Sequence, residues 1–193
     1  MTSANPVKYI LIVEDEERVR TWIRDALKDF YSEWQYLEAE HMEQADELAK
    51  GHWDDIVLIV MDVMLPKDET DADAIKELIQ QREPVYDKWL ELEDKGLERT
   101  DHEWLKARFA VDVLDRKIFK MLRVQGGIEL VENWARTNGG KLDKCVLYLT
   151  ARENQAIRDR GMALVETSKV VWQVKPITSP EIRVAVKKLG LMG

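Results

Sequence analysis

Three acids, one hydroxyl and one ammonium in this chain each sit at the end of a short apolar run, and that placement could make them chemically useful. Glu14 and Asp15 follow Tyr9-Ile10-Leu11-Ile12-Val13, and Asp62 follows Ile56-Val57-Leu58-Ile59-Val60-Met61. Thr150 closes Val146-Leu147-Tyr148-Leu149, and Lys175 follows Val170-Val171-Trp172-Gln173-Val174. Runs this short and this rich in Val, Ile and Leu suit strands of a parallel sheet covered on both faces. In such a sheet, ligands bind at the carboxyl ends of the strands, near the point where strand order reverses. The five polar residues would then converge on one edge.

Three carboxylates packed together repel, and one takes up a proton unless a cation compensates. Mg2+ suits the role, being hard, oxygen-seeking and commonly held by few carboxylates plus water and phosphate oxygens. Asp62, flanked by apolar residues on both sides, is the candidate nucleophile, because a carboxylate can accept a phosphoryl group covalently. Mg2+, the Thr150 hydroxyl and Lys175 would stabilise charge on the phosphoryl oxygens. Blander roles exist for each residue. Glu14 and Asp15 are suited to the start of a helix, Thr150 to a helix cap, and Asp62 and Lys175 to a solvated surface.

The elements that must position these groups alternate. A fifth, outer strand is expected over 34–39. Helical spacing covers 16–30, with Val19, Trp22, Ile23, Ala26, Leu27 and Phe30 on one face, and 41–50, stopping at Gly51. Further helices are expected over 128–136 and 153–165, and a last one from Ser179 as N-cap with Pro180 in its first turn. Five alternations of strand and helix predict a doubly wound α/β sheet. The chain's end soon after Gly190 leaves no length for an output domain, which points to a stand-alone unit.

Residues 67–125 break the rhythm with charged helical sequence and no strand pattern, and a connection this long should carry structure of its own. Helices are expected over about 71–82, over 84–95 beginning at Pro84, and over 101–125. Thr100-Asp101-His102-Glu103 reads as a capping box for the third, and Gly126-Gly127 as its end. Trp104, Ala107, Val111, Leu114, Ile118 and Met121 recur at spacings of three and four. Residues 68–99 carry net charge −6 and residues 100–125 net +2, which favours an antiparallel hairpin. Exposed ion pairs give only about 0–1 kcal/mol each, so the apolar stripe must supply most of its stability.

Composition narrows the classes. The 193 residues carry a formal charge of −8, which disfavours a broad basic nucleic-acid surface. Cys145 is the one cysteine, so neither an intrachain disulfide nor a multi-cysteine zinc site is available. The longest apolar run, Ile56–Met61, is too short for a bilayer span, and Glu14-Asp15-Glu16-Glu17 is wrong for a signal peptide. The expected location is the cytoplasm, without a membrane partner. His41, His52 and His102 have no ligand partners at useful spacing.

Ile10-Leu11-Ile12-Val13-Glu14-Asp15-Glu16, Met61-Asp62-Val63-Met64-Leu65-Pro66, Leu149-Thr150-Ala151 and Val174-Lys175-Pro176 together resemble the signature of response-regulator receiver domains. The likeness covers 7–66 and 126–190 in the right order. It implies a flavodoxin-like five-stranded sheet of order 2-1-3-4-5, a receiver formed by 1–66 and 126–193, and a helical hairpin insertion over 67–125.

The resemblance implies that Asp62 is phosphorylated by a histidine kinase or phosphotransfer protein. Glu14, Asp15, Asp62 and the Met64 carbonyl would hold Mg2+, and Thr150 and Lys175 would contact the phosphoryl group. It also implies a cis Lys175–Pro176 peptide, and places Met64 and Arg152 where the family tunes dephosphorylation. Trp172 stands where the family has a switch Tyr or Phe, and either switching or core packing suits it. Output would be binding to a downstream protein, with no enzymatic activity beyond gaining and losing the phosphoryl group.

Two rivals differ in class. One is an interaction scaffold acting through the insertion without phosphorylation. The other is a phosphohydrolase of the haloacid-dehalogenase type, which wants a second acid where this chain has Met64 and gives no reason for Glu14-Asp15. The insertion beside Asp62 is placed to gate access, dock a partner or form a homodimer.

Overall fold

The computed structural model describes residues 7–28, 31–96, 101–151 and 154–191. Five parallel strands form one sheet in the order β2-β1-β3-β4-β5. They are β1 (Tyr9–Val13), β2 (Gln35–Ala39), β3 (Ile56–Asp62), β4 (Cys145–Thr150) and β5 (Val170–Val174). Between them run α1 (Glu17–Leu27), α2 (Met42–His52), α3 (Glu69–Asp94), α4 (His102–Met121), α5 (Gly126–Thr137), α6 (Gln155–Ala163) and α7 (Ser179–Lys188).

Alternation along each strand sorts side chains onto two faces. Ile10, Ile12, Leu58, Val60, Leu147 and Leu149 pack against Ile23 and Leu27 of α1 and Ile182, Ala185 and Val186 of α7. Leu11, Val13, Ile59, Met61, Val146 and Tyr148 pack on the other face against Ala45 and Ala49 of α2 and Ile128, Val131 and Trp134 of α5. Both faces are dry, which is why the strands lack polar alternation. Pairing of Asp62 with Leu149 and of Thr150 with Val174 extends β3 and β4 one residue past their apolar runs. These two strands thus end on polar residues of the candidate site.

The insertion departs from expectation in three places. α3 is a single helix of 26 residues, about 39 Å long, rather than two helices broken at Pro84. An interior proline forfeits one backbone hydrogen bond and clashes with the carbonyl four residues back, but packing on both sides of it holds one axis. Arg82 pairs with Asp115, and Trp89 meets Trp104 edge-on at 6.2 Å. Lys88 lies 3.8 Å from Glu103, so α3 and α4 run antiparallel. Trp104, Ala107 and Val111 are buried in this pair.

Asp101 caps α4, accepting from the backbone N–H of Glu103 (2.8 Å) and Trp104 (3.1 Å), while Thr100 lies outside the described residues. α4 ends at Met121 rather than continuing to 125, because Arg123 exchanges two backbone hydrogen bonds with Leu65 (2.8 and 3.3 Å). Gly126 therefore opens α5 instead of closing α4. The two ends of the insertion meet at this bridge.

Two smaller shifts have local causes. α2 passes through Gly51 to His52, since nothing there takes up a left-handed turn. Thr178, not Ser179, caps α7: its backbone N–H donates to Glu181 at 2.7 Å, a reciprocal capping box that Ser179 could not form with Ile182. Among the described residues, no helix is long and apolar enough to cross a membrane.

Candidate functional site

Glu14 and Asp15 leave β1, Asp62 ends β3, Thr150 ends β4 and Lys175 leaves β5, so the parallel sheet delivers all five to one rim. Carboxylate oxygens of Glu14, Asp15 and Asp62 lie within 4.8 Å of one another. Lys175 Nζ bridges two of them, donating to Glu14 Oε2 at 2.6 Å and Asp62 Oδ2 at 2.7 Å. The Met64 backbone N–H donates to Asp62 Oδ1 at 3.2 Å. Thr150 is buried, and its carbonyl accepts from the Lys175 backbone N–H at 2.7 Å, which sets β5 beside β4 at the rim.

The loop after Asp62 is clamped from α5. Gly127 N–H donates to the Val63 carbonyl at 3.2 Å. A Cβ at Gly127 would run into the Asp62 carbonyl oxygen and lie 2.9 Å from Met61 Cγ. Only glycine permits this approach.

Sequence periodicity does not single out a buried charged residue beside the site. Arg20 of α1 is 8% exposed and donates from one guanidinium nitrogen to the backbone carbonyls of Glu14 (2.6 Å) and Asp15 (3.1 Å). Its other nitrogens face Glu38 at 3.8 Å and Glu40 at 3.7 Å. The signal was present: Arg20, Ile23 and Leu27 share the apolar face of α1 at spacings of three and four. Trp172 is buried against Tyr148, ring centroids 5.3 Å apart, with Gly161 of α6 leaving room for it. Arg152 lies outside the described residues. The Lys175–Pro176 peptide is cis.

The electrostatics leave a deficit of positive charge. Burial, and then the nearby Asp62, raise Glu14 well above the ordinary carboxylate range. The same causes lift Asp15 to about 6. Glu14 Oε1 is buried with no hydrogen-bond partner. Three carboxylates face one ammonium, and with Glu14 Oε1 unsatisfied the carboxylates offer an all-oxygen donor set that fits a hard divalent cation such as Mg2+.

The raised Asp15 has a consequence for the metal-free protein. Its folded pKa of about 6 lies above the unfolded value, so the folded state binds more protons between about pH 4 and 6. Stability therefore falls as pH rises through that window, by about 2–3 kcal/mol at most. Asp15→Asn should remove the Asp15 share of that dependence, leaving the part due to Glu14, stabilise the metal-free protein at pH 7.5 by about 1–3 kcal/mol, and abolish Mg2+ binding. Denaturant unfolding in a chelator at pH 4.5 and 7.5 checks the first two points, and Mg2+ titration checks the third.

No family model matches the chain, and no curated protein sequence does. Solved structures do. A CheY-like response regulator receiver domain protein from Methanospirillum hungatei JF-1 is 14% identical with a TM-score of 0.51, covering 94% of this chain and 92% of its own. CheY4 from Vibrio cholerae is 15% identical with a TM-score of 0.54, covering 95% and 98%. CheY in a CheX-CheY-BeF3-Mg complex from Borrelia burgdorferi is 13% identical with a TM-score of 0.54, covering 95% and 89%. With strand order 2-1-3-4-5, four motif-bearing strand ends on one rim and these structural neighbours, this chain has the fold of the response-regulator receiver domains.

Proposed function

We propose that this protein is a response regulator phosphorylated on Asp62 by a histidine kinase or phosphotransfer protein, and that it signals by binding another protein. The observation that carries this reading is the meeting of Asp62 with Glu14, Asp15 and Lys175 at one rim. A carboxylate oxygen of Asp62 attacks the phosphorus of a phosphohistidine. The phosphorus–nitrogen bond breaks, the imidazole leaves with the electron pair, and an acyl phosphate forms on Asp62.

Glu14, Asp15 and Asp62, with the Met64 carbonyl, would hold Mg2+, which when bound neutralises charge on the transferring phosphoryl oxygens. That the Borrelia burgdorferi CheY complex contains Mg2+ supports this assignment. Lys175 already touches Asp62 and is placed to pair with the phosphoryl group, and Thr150 ends the adjacent strand. The phosphoryl group adds about −1.5 to −2 charge. Thr150 and Lys175 are drawn toward it, and α6 and β5, which carry Gly161 and Trp172, move with them. The chemistry ends with gain and loss of this one group, so the protein turns over no separate substrate.

The test is incubation with a small phosphodonor and Mg2+, read by intact mass. Wild type should gain one phosphoryl group, a chelator should prevent it, and Asp62→Asn should gain none. Equal labelling of Asp62→Asn would overturn the assignment. A wild type that takes up neither Mg2+ nor phosphate would favour the scaffold reading.

A further inference from the structure

We propose that the α3–α4 insertion is coupled to the metal site by an ion-pair path running from the Glu14–Asp15 loop through Arg20 and Glu40 to Lys76 on α3. This inference rests on the metal reading above and adds a role for the insertion. Arg20 is the junction. One edge of its guanidinium holds the carbonyls of both loop residues (2.6 and 3.1 Å), and another faces Glu40 Oε2 at 3.7 Å. Glu40 Oε2 is in turn 2.8 Å from Lys76 Nζ. Lys76 follows Ile75, which is 2% exposed and anchors the base of α3.

Four properties make this a path and not merely adjacent pairs. The guanidinium is planar and rigid, so a shift of the loop carbonyls at one edge tilts the edge that faces Glu40. Arg20 is buried, so water does not substitute for its partners. Glu38, the other acid beside Arg20, is already engaged by Arg24 at 2.7 Å, which leaves Glu40 as the link to the insertion. Lys76 also holds the Glu40 carboxyl below its ordinary range through their hydrogen bond, which keeps the pair charged.

A cation drawing in the Glu14 and Asp15 carboxylates would reposition their backbone and so the base of α3. By linkage, a partner that clamps the hairpin changes Mg2+ affinity by the same factor. A partly exposed pair such as Glu40–Lys76 carries about a two- to fivefold effect. Arg20→Met, which strips both loop carbonyls, should weaken Mg2+ binding about tenfold or more.

The competing route is the chain itself, residues 63–68, which joins Asp62 directly to α3. Hydrogen exchange over residues 69–78 of the full-length protein, with and without Mg2+, separates the two. Wild type should exchange more slowly there when Mg2+ binds. Glu40→Gln and Lys76→Met should bind Mg2+ within about fivefold of wild type yet lose that response, and Lys76→Arg should restore it. A response that survives in Glu40→Gln and Lys76→Met, or one missing from a Mg2+-binding wild type, would overturn the path. Failure of wild type to bind Mg2+ at all would overturn the metal reading and this inference together.

Discussion

Lys175→Met should destabilise the protein by about 2–4 kcal/mol at neutral pH and slow phosphorylation of Asp62 about tenfold or more. Lys175 is the bridging cation of the rim, bonding both Glu14 and Asp62 with its side chain only 18% exposed. Burial works against its charge, but Asp62 and Glu14 outweigh that and hold the ammonium above its ordinary value. A raised lysine stabilises the fold at every pH below its unfolded value, about 10.4, and loses that contribution only as pH climbs through the folded value. Methionine nearly matches the volume and removes the charge, leaving three close carboxylates without their bridge.

Those carboxylates then take up protons more readily in the folded state. The gap between variant and wild type should narrow as pH falls toward 5, and Mg2+ should recover part of it at pH 7.5. Denaturant unfolding across pH, with and without Mg2+, checks both. A variant as stable as wild type in a chelator at neutral pH would show that the bridge carries no weight.

Gly127→Ala should cost about 2–4 kcal/mol and impair phosphorylation, against the sign that helix propensity alone gives. Alanine in a helix is favoured over glycine by about 1 kcal/mol. At Gly127, however, the new methyl group meets the Asp62 carbonyl, a backbone atom that cannot turn aside as a side chain would. Either α5 withdraws, losing its hydrogen bond to Val63, or the Asp62 loop shifts and the carboxylate with it. Gly51→Ala in α2 is the control, because its Cβ meets nothing within 4 Å and its backbone is not left-handed. It should stabilise by about 0.5–1 kcal/mol. Equal effects at the two positions would refute the close approach.

What could be read from the sequence followed from local pattern, and what could not followed from partners far away in the chain. The strand cores were plain because a doubly covered parallel strand is apolar throughout, and the rim residues were plain because each follows such a run. Pro84 looked like a break because local chemistry makes it one. Its continuity depends on Trp104 and Asp115, more than ten residues distant. The end of α4 is set by Leu65, on the far side of the insertion. Arg20 is not legible because a charge on an apolar helix face counts against burial until its acceptors, two carbonyls at a neighbouring strand end, are known. Thr178 and Ser179 are equally good caps by type, and only the position of Glu181, three residues after Thr178, decides between them.

The bridge between Leu65 and Arg123 has a practical consequence. Since the excursion departs and returns across two hydrogen bonds, and the Pro66 and Lys67 carbonyls still hold the first N–H groups of α2, residues 68–122 occupy the place of a single loop as far as the sheet is concerned. That junction is a natural port: a short loop, a fluorescent reporter or an alternative helical pair of matching end spacing can be grafted there while the strands on either side keep their register.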